Sequence, residues 1–284
     1  MLFQKLQVVF THCTTNDEVP WEVSTKQVGM YLVNHQLGVL FQLNNFKQCS
    51  NAITGLVNAY WPTQNKRKGT DIPESYFSKA DLVTYKYYTG RLSLFEDKYE
   101  EALTALTTAL NLCHKDAYHN RRKIITVLIP LHLNFGRFPT EALLRKYDLG
   151  LYLGFTNAIR TGSIRLYNQT LYGHQNYFVR IGTYLLLERV KNIVYRCYLK
   201  RYISLFVTGD GPVEGKSPLL DLQAIQTGLR LQGEDMDLPE LECILCNLIH
   251  LNLVKGYVAH VQQKLVLSKD KPFPLESVVK PISS

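Results

Sequence analysis

Residues 82–113 read LVTYKYYTGRLSLFEDKYEEALTALTTALNLC, and this stretch decides the fold class. From Asp97 to Cys113 the apolar residues recur at steps of three and four, which aligns them on one face of a helix. Asp97 and Glu100 have the spacing of a capping box, so we expect the helix to begin there. The sequence therefore predicts an amphipathic helix over 97–113.

A second helix is predicted just before it, around Gly90, so that the two form a helical hairpin like a tetratricopeptide unit. Small residues at Ala102 and Ala109, with Leu106 between them, occupy positions where such hairpins need close helix packing. One hairpin cannot bury its apolar face alone, so neighbouring pairs must stack against it. The pattern therefore indicates an array of hairpins.

Neighbouring helix pairs are predicted on both sides of this hairpin. Helical patterns cover 28–46 and 49–60 before it, and 123–134 and 140–147 after it, with few strand-like alternations. The predicted fold class is mostly α, with a tetratricopeptide-like (TPR-like) helical array over 28–207.

The C-terminal part has a different pattern, which predicts a winged helix over 218–270. Two helices are followed by two short β-type runs, at 220–231, 239–253, 254–260 and 264–267. A short helix over 202–207 is expected to complete the bundle. The second of the two helices has a predicted buried stripe, which consists of Leu241, Ile244, Leu245, Leu248 and Leu251.

Four further segments lie outside the helices of the array and outside the winged helix. Residues 1–27 form an N-terminal segment, 61–78 a polar surface loop, 208–217 a loop insertion and 271–284 a C-terminal tail.

The composition is that of an ordinary globular protein, with 284 residues, 46% of them hydrophobic. The net charge of +8 favours an acidic partner, which is either nucleic acid or an acidic polypeptide. Six scattered cysteines indicate reduced thiols in an intracellular protein. No run of about 18 apolar residues occurs, so no membrane span is predicted.

Four segments resemble the PCI domain-containing protein 2 family. They are Val83 to Ala102, Asn120 to Leu149, Glu242 to His260 and Gln262 to Pro274. The resemblance implies the PCI fold, in which helical hairpins lead directly into a winged helix. Members usually carry further N-terminal helices, so the resemblance implies one of two things: residues 1–27 belong to a truncated segment, or the amino end of the scaffold is supplied otherwise.

The resemblance further implies a non-enzymatic scaffold subunit of the nuclear transcription-and-export complex two, which couples transcription to mRNA export at the nuclear pore. The implied partners are a larger PCI-containing scaffold subunit, a small acidic proteasome-lid-associated protein, and RNA or DNA. The implied location is the nucleus, with some protein in the cytoplasm. An alternative keeps the fold and places the chain in the proteasome lid, the signalosome or a translation initiation factor, without nucleic-acid binding.

A basic face near the winged helix is the candidate nucleic-acid site, because clustered cations release counterions from phosphates whatever the base sequence. The alternative is that these basic side chains only keep the exposed faces of a helix and a hairpin hydrated. The candidate residues are Arg189, Lys191, Arg196, Lys200, Arg201, Lys255, His260, Lys264, Lys269 and Lys271.

Recognition of a specific base sequence is not expected, because carboxylates such as Asp237 and Glu240 begin the second helix of the winged helix. The interleaved Tyr195, Tyr198 and Tyr202 are either stacking platforms for bases or core residues.

Tyr257 and Val261 are the candidate partner-binding residues, with burial in the core as the alternative for each. No catalytic residue, metal site or cofactor is predicted. The segment Gly209 to Ser217 ends like a phosphate-binding loop, but its glycine spacing is off by one, so we expect a flexible insertion. Cys243 and Cys246 have redox-motif spacing, yet we expect at least one of them to pack in the core.

Overall fold

The computed structural model describes residues 2–14, 24–60, 77–206 and 218–274. Most of the predicted loop at 61–78, the whole insertion at 208–217 with its phosphate-loop-like segment, and the end of the tail lie outside these ranges. Backbone contacts divide the chain into two compact units, Met1–Leu128 and Ile129–Ser284. The division falls inside a helix of the array, so the later helices share a unit with the winged helix.

Unit 1 is built from helices alone in its described residues, and the last of these helices crosses into unit 2. They are α1 (Leu2–Thr14), α2 (Gly29–Gln42), α3 (Phe46–Tyr60), α4 (Lys79–Phe95), α5 (Tyr99–Leu112) and α6 (Tyr118–Asn134). A 3-10 turn at Thr25–Val28 precedes α2. The core of the unit packs apolar residues of α2, α3 and α4 together, including Leu37, Leu56 and Leu82.

The hairpin of α4 and α5 confirms the predicted tetratricopeptide-like unit. Ala102, Leu106 and Ala109 are fully buried. A Cβ atom at Gly90 would lie 2.7 Å from Leu106 Cγ and 3.3 Å from the Ala102 carbonyl oxygen. Only glycine therefore allows the two helices to approach this closely.

The predicted capping box is wrong. Helix α5 begins at Tyr99, its N-cap is Lys98, and no side chain caps it. Asp97 instead adopts a left-handed backbone with φ +59° and accepts a hydrogen bond from the Tyr99 hydroxyl at 2.6 Å. The Lys98 N–H donates to the Ser93 carbonyl at 2.9 Å, so the residues of the predicted cap form the turn of the hairpin.

Unit 2 continues the array with five helices and ends in the winged helix. The array helices are α7 (Glu141–Lys146), α8 (Leu153–Thr161), α9 (Ile164–Gly173), α10 (Gln175–Ile181) and α11 (Tyr184–Phe206). The winged helix contains β1 (Leu219–Asp221), α12 (Leu222–Leu231), α13 (Leu238–His250), β2 (Gly256–Ala259) and β3 (Lys264–Leu267). The short helix predicted at 202–207 is the last part of the long helix α11.

The winged-helix sheet has three antiparallel strands in the order β1-β3-β2. Strand β1 was not predicted, because three residues directly before a helix show no detectable alternation of apolar and polar residues. Helix α12 begins only after this strand, where the Asp221 carboxylate accepts a hydrogen bond from the Gln223 N–H at 2.8 Å. In α13 the predicted stripe is buried at Leu241, Leu245 and Leu248, whereas Ile244 is half-buried and Leu251 is exposed.

The turn between α12 and α13 ties the winged helix to the array. The Ile164 N–H donates to Gln232 Oε1 at 2.7 Å, at the first residue of α9. The Glu234 carboxylate accepts hydrogen bonds from Lys191 Nζ at 2.9 Å, from the Tyr195 hydroxyl at 3.2 Å and from the Asn168 amide. The Glu234 and Lys191 side chains are each only 16% exposed. We call this set of contacts the Glu234 latch.

Substitution of Gly90 by alanine is expected to destabilise unit 1 by about 1–3 kcal/mol, because the added methyl group overlaps Leu106. Gly55→Ala is the matched control, since its Cβ atom would meet only Phe10 at 4.0 Å. That control should stabilise its helix by roughly 0.5–1 kcal/mol through helix propensity. Urea denaturation measures both. Equal effects of the two substitutions would contradict the close packing.

Glu234→Ala is expected to destabilise unit 2 by about 2–4 kcal/mol, because it leaves the Lys191 ammonium largely buried without its carboxylate. Asp235→Ala serves as control, since that exposed carboxylate pairs only with the exposed Arg230. The control should change stability by less than about 0.5 kcal/mol. Denaturant midpoints of the full chain give both values, and similar losses would argue against the latch.

Candidate nucleic-acid and partner interface

The ten predicted basic positions lie on α11, at the two ends of β2, on β3 and on the segment that follows β3. Eight of the ten are exposed: Arg189, Lys200, Arg201, Lys255, His260, Lys264, Lys269 and Lys271. The other two, Lys191 and Arg196, face inward. The structure therefore removes these two residues from the candidate set.

Lys191 and Arg196 are not available to a phosphate. Lys191 is held by Glu234 in the latch. Arg196 is 6% exposed, and its Nη2 donates to the Phe273 carbonyl oxygen at 3.3 Å. Its guanidinium carbon lies 5.8 Å from the centre of the Phe273 ring. Both cations have partners within the fold, and removing either partner would leave a buried charge unpaired.

Three lysines are brought together at the base of the wing. The Lys255 N–H donates to the Pro272 carbonyl, and the Ser268 N–H donates to the Lys255 carbonyl, each at 2.8 Å. These two bonds place Lys255 beside the segment that carries Lys269 and Lys271. We call these three lysines the wing-base cluster. Their side chains are exposed, so the positive charge lies on the surface.

The basic side chains of the wing have carboxylates close by. His260 Nδ1 lies 2.8 Å from Glu242 Oε2. Lys264 lies on the central strand, directly opposite Asp221 of β1 in the sheet register. These carboxylates reduce the positive potential at the wing, as the exposed Asp270 between Lys269 and Lys271 does at the wing-base cluster.

The tyrosines of α11 are largely core residues. Tyr195 and Tyr198 are buried, and the Tyr198 hydroxyl reaches the Ile225 carbonyl at 3.4 Å. Burial, followed by the neighbouring Tyr202, raises the pKa of Tyr198 to about 12. Burial and the Glu234 carboxylate also raise the pKa of Tyr195. Neither ring is open to a base, whereas Tyr202 is half-buried.

The second helix of the winged helix, α13, contains no lysine or arginine. Asp237 caps it by accepting a hydrogen bond from the Glu240 N–H at 2.8 Å. Cys243 and Cys246 are both exposed, so the expectation that at least one packs in the core is wrong. The reason is that the stripe of Leu241, Leu245 and Leu248 turns this face of the helix outward.

Tyr257 and Val261 lie on the surface of the wing. They are 62% and 96% exposed, so neither is a core residue in this chain. Tyr257 belongs to β2, which is an edge strand of the sheet. An edge strand presents unpaired backbone groups, which a partner strand can use.

The described residues contain no group of three or more histidine, cysteine, aspartate or glutamate side chains that could hold a metal ion. None of the helices within them is both long and apolar enough to cross a membrane.

A basic groove in unit 1, between α4 and α6, was not predicted. It has a volume of about 740 Å³ and includes Lys79, Lys115 and Lys123 among its lining residues. A signal was present in the run HKDAYHNRRK at 114–123, which has many basic residues and one carboxylate. The groove itself depends on how α4 and α6 pack, which that run does not reveal.

The chain matches none of the protein-family models that were searched. It is similar to PCI domain-containing protein 2 of Danio rerio, with 32% identity over 95% of this chain and 63% of that protein. The protein of the same name from Xenopus laevis is 32% identical over 96% of this chain and 64% of its own length. Enhanced ethylene response protein 5 of Arabidopsis thaliana is 37% identical over 91% and 60%.

The chain spans about 60% of the length of the curated relatives it matches. Further relatives named PCI domain-containing protein 2 homolog come from Dictyostelium discoideum and Drosophila melanogaster, at 34% and 32% identity. The helical array that ends in a winged helix agrees with the fold expected of such a chain. This chain, a helical scaffold, belongs to the PCI domain-containing protein 2 family.

Proposed function

We propose that this chain is a non-catalytic scaffold subunit that binds nucleic acid through the backbone phosphates. The observation that supports this most directly is the wing-base cluster, where backbone hydrogen bonds hold Lys255 beside the segment of Lys269 and Lys271. Lys200 and Arg201 add exposed cations at the end of α11. Phosphate contacts of this kind confer affinity without reading the base sequence.

Helix α13 argues against recognition of a specific base sequence. In winged-helix and helix-turn-helix proteins that read DNA, the second helix enters the major groove. Here that helix carries Glu240 and Glu242 and no arginine or lysine. Carboxylates there would repel phosphates at the edge of the groove. The proposed ligand is therefore RNA or DNA of any sequence.

The proposed assembly is a nuclear mRNA-export complex at the nuclear pore, containing a larger PCI subunit and a small acidic protein. Support comes from membership of the PCI domain-containing protein 2 family. We place the larger PCI subunit on the wing, at the exposed Tyr257 and Val261. An apolar ring beside an open strand edge suits partner binding, because the edge supplies hydrogen bonds and the ring supplies buried area.

A second assembly remains as the alternative, in which the chain serves the proteasome lid, the signalosome or an initiation factor and does not bind nucleic acid. Affinity purification of the tagged full chain from nuclear extract separates the two. Recovery of a larger PCI subunit with a small acidic protein supports the export assembly. Recovery of lid, signalosome or initiation-factor subunits, without affinity for nucleic acid, supports the alternative.

The double variant Lys255→Glu/Lys269→Glu is expected to weaken binding of a single-stranded RNA. Losing two phosphate contacts should make the slope of log K against log salt shallower by about 1.4, at about 0.7 for each contact. Fluorescence anisotropy with a labelled 20-nucleotide uridine RNA, titrated at several salt concentrations, measures the slope.

The matched control is Arg145→Glu/Lys146→Glu on α7, which makes the same change in net charge at two exposed positions. This control should leave the slope nearly unchanged, because it removes no phosphate contact. If both double variants weaken binding equally, net charge alone is responsible and the wing-base cluster is not the site. Absence of binding by the unmodified chain at low salt would reject nucleic-acid binding altogether.

A further inference from the structure

A smaller pocket of unit 1 lies between α1 and α3, with α2 beneath it. On α1 its lining runs from Phe3 to Thr11, and on α3 it runs from Gln48 to Gly55. Each stretch covers about two helical turns, or roughly 11 Å at 1.5 Å per residue. The volume is about 320 Å³. That volume is at the lower end of the range of about 300–1,000 Å³ for small-molecule sites. We call it the α1–α3 pocket.

Gln36 of α2 forms the floor of the pocket. It is 2% exposed, whereas every other lining residue is half-buried or exposed. Its Nε2 has no hydrogen-bond partner among the described residues. A buried amide donor without an acceptor is unfavourable, and an acceptor on a ligand in the pocket would pair it. The floor therefore calls for a ligand with a hydrogen-bond acceptor.

The walls of the pocket favour a flat ligand. Phe3 and Phe10 lie two turns apart on α1, and both are half-buried against the apolar core of the unit. The facing wall has the small residues Ala52 and Gly55 of α3. A Cβ atom at Gly55 would meet only Phe10, at 4.0 Å, so there is free space beside this wall. Aromatic side chains of this kind stack on heterocyclic bases of any sequence.

The lining of the pocket is polar but uncharged. No lysine, arginine, aspartate, glutamate or histidine is among its residues. Besides Gln36, three carboxamides lie at the exposed rim: Gln7, Gln48 and Asn51. Each carboxamide can both donate and accept hydrogen bonds. A phosphate or carboxylate would lose its hydration here without meeting a cation, so the ligand that fits is neutral.

Adenine has the edge that a buried glutamine recognises. Its N7 accepts a hydrogen bond while the neighbouring N6 amino group donates one, and a glutamine carboxamide pairs with both. Guanine presents two acceptors on the same edge, O6 and N7, which suit an arginine or a lysine. Neither of those residues lines the pocket.

We infer that the α1–α3 pocket binds the adenine base of a neutral nucleoside. Gln36 Nε2 donates to N7 of the base, and Gln36 Oε1 accepts from the N6 amino group. The base lies against Phe3 and Phe10, and the ribose hydroxyls reach the carboxamides of the rim. The inference concerns unit 1 only and does not rest on the proposed nucleic-acid site of unit 2.

The test is isothermal titration calorimetry of the full chain with adenosine. Gln36→Leu should raise Kd by at least about tenfold, because both hydrogen bonds to the base are lost. The same substitution should not lower the melting temperature of the unliganded chain, because it removes a buried donor that has no protein partner. The matched control is Gln42→Leu, at the exposed last residue of α2, which should leave Kd within about twofold.

A second variant closes the pocket from the opposite wall. Gly55→Leu places a side chain in the free space beside α3 and should also raise Kd by at least about tenfold, since the base can no longer enter. Thr54→Leu, at the exposed neighbouring position, should leave Kd within about twofold. Circular dichroism of each variant shows that the helices still form.

Related ligands test the chemistry of recognition. 7-Deazaadenosine lacks the N7 acceptor and should bind at least about tenfold more weakly than adenosine, because Gln36 is again left unpaired. Adenosine monophosphate should bind no more tightly than adenosine, because no cation lines the pocket. A short oligoadenosine RNA, added to the Lys255→Glu/Lys269→Glu chain, tests whether the base comes from RNA. It should not displace adenosine more effectively than adenosine monophosphate does.

Any of three results would overturn the inference. The first is a lack of adenosine binding by the unmodified chain at millimolar ligand. The second is equal affinity of the unmodified chain and Gln36→Leu for adenosine, or of the unmodified chain for adenosine and 7-deazaadenosine. The third is displacement of adenosine by the RNA at much lower concentrations than by the monophosphate, because the ligand would then be a nucleic acid.

Discussion

The organisation of unit 2 depends on the Glu234 carboxylate in the turn between α12 and α13. It receives hydrogen bonds from one side chain of α9 and two of α11, and the neighbouring Gln232 receives the first N–H of α9. A largely buried carboxylate is costly unless its oxygens are satisfied, so the turn has few alternative positions. The last helices of the array therefore fix the position of this turn. The position of the winged helix and of its basic surface follows from it.

In unit 1, close apolar packing, and not a buried charge, fixes the position of one helix against another. Gly90 allows α4 to approach α5 so closely that Leu106 and Ala102 occupy the space of the missing side chain. Close-packed interiors transmit such constraints, because atoms cannot move without displacing neighbours. The hairpin is therefore a rigid element, and the groove beside it has one wall, α4, whose position is set by this contact.

The helical hairpins and the winged helix could be predicted from the sequence, because their signals are local: three- and four-residue periodicity and short β-type runs. Which individual charged side chains are buried could not be predicted. Lys191 meets a carboxylate 43 residues away, and Arg196 meets a carbonyl 77 residues away, so their burial depends on tertiary structure. Cys243 and Cys246 were misjudged because a thiol carries little information about which helix face is buried. The groove of unit 1 lies between α4 and α6, which are separated in the sequence by α5, so no local pattern reveals it.

The anchoring of residues 268–273 has a consequence for binding thermodynamics. Ser268 and Pro272 are bonded to Lys255, and Phe273 is bonded to Arg196, so this six-residue segment is held at three points. A flexible basic tail must lose backbone freedom when it binds, which costs about 1–2 kcal/mol for each residue that becomes fixed. For Lys269 and Lys271 this backbone freedom is already lost when the chain folds. In the proposed nucleic-acid site, binding through these two lysines would therefore cost side-chain freedom but little backbone freedom, as in a preorganised receptor.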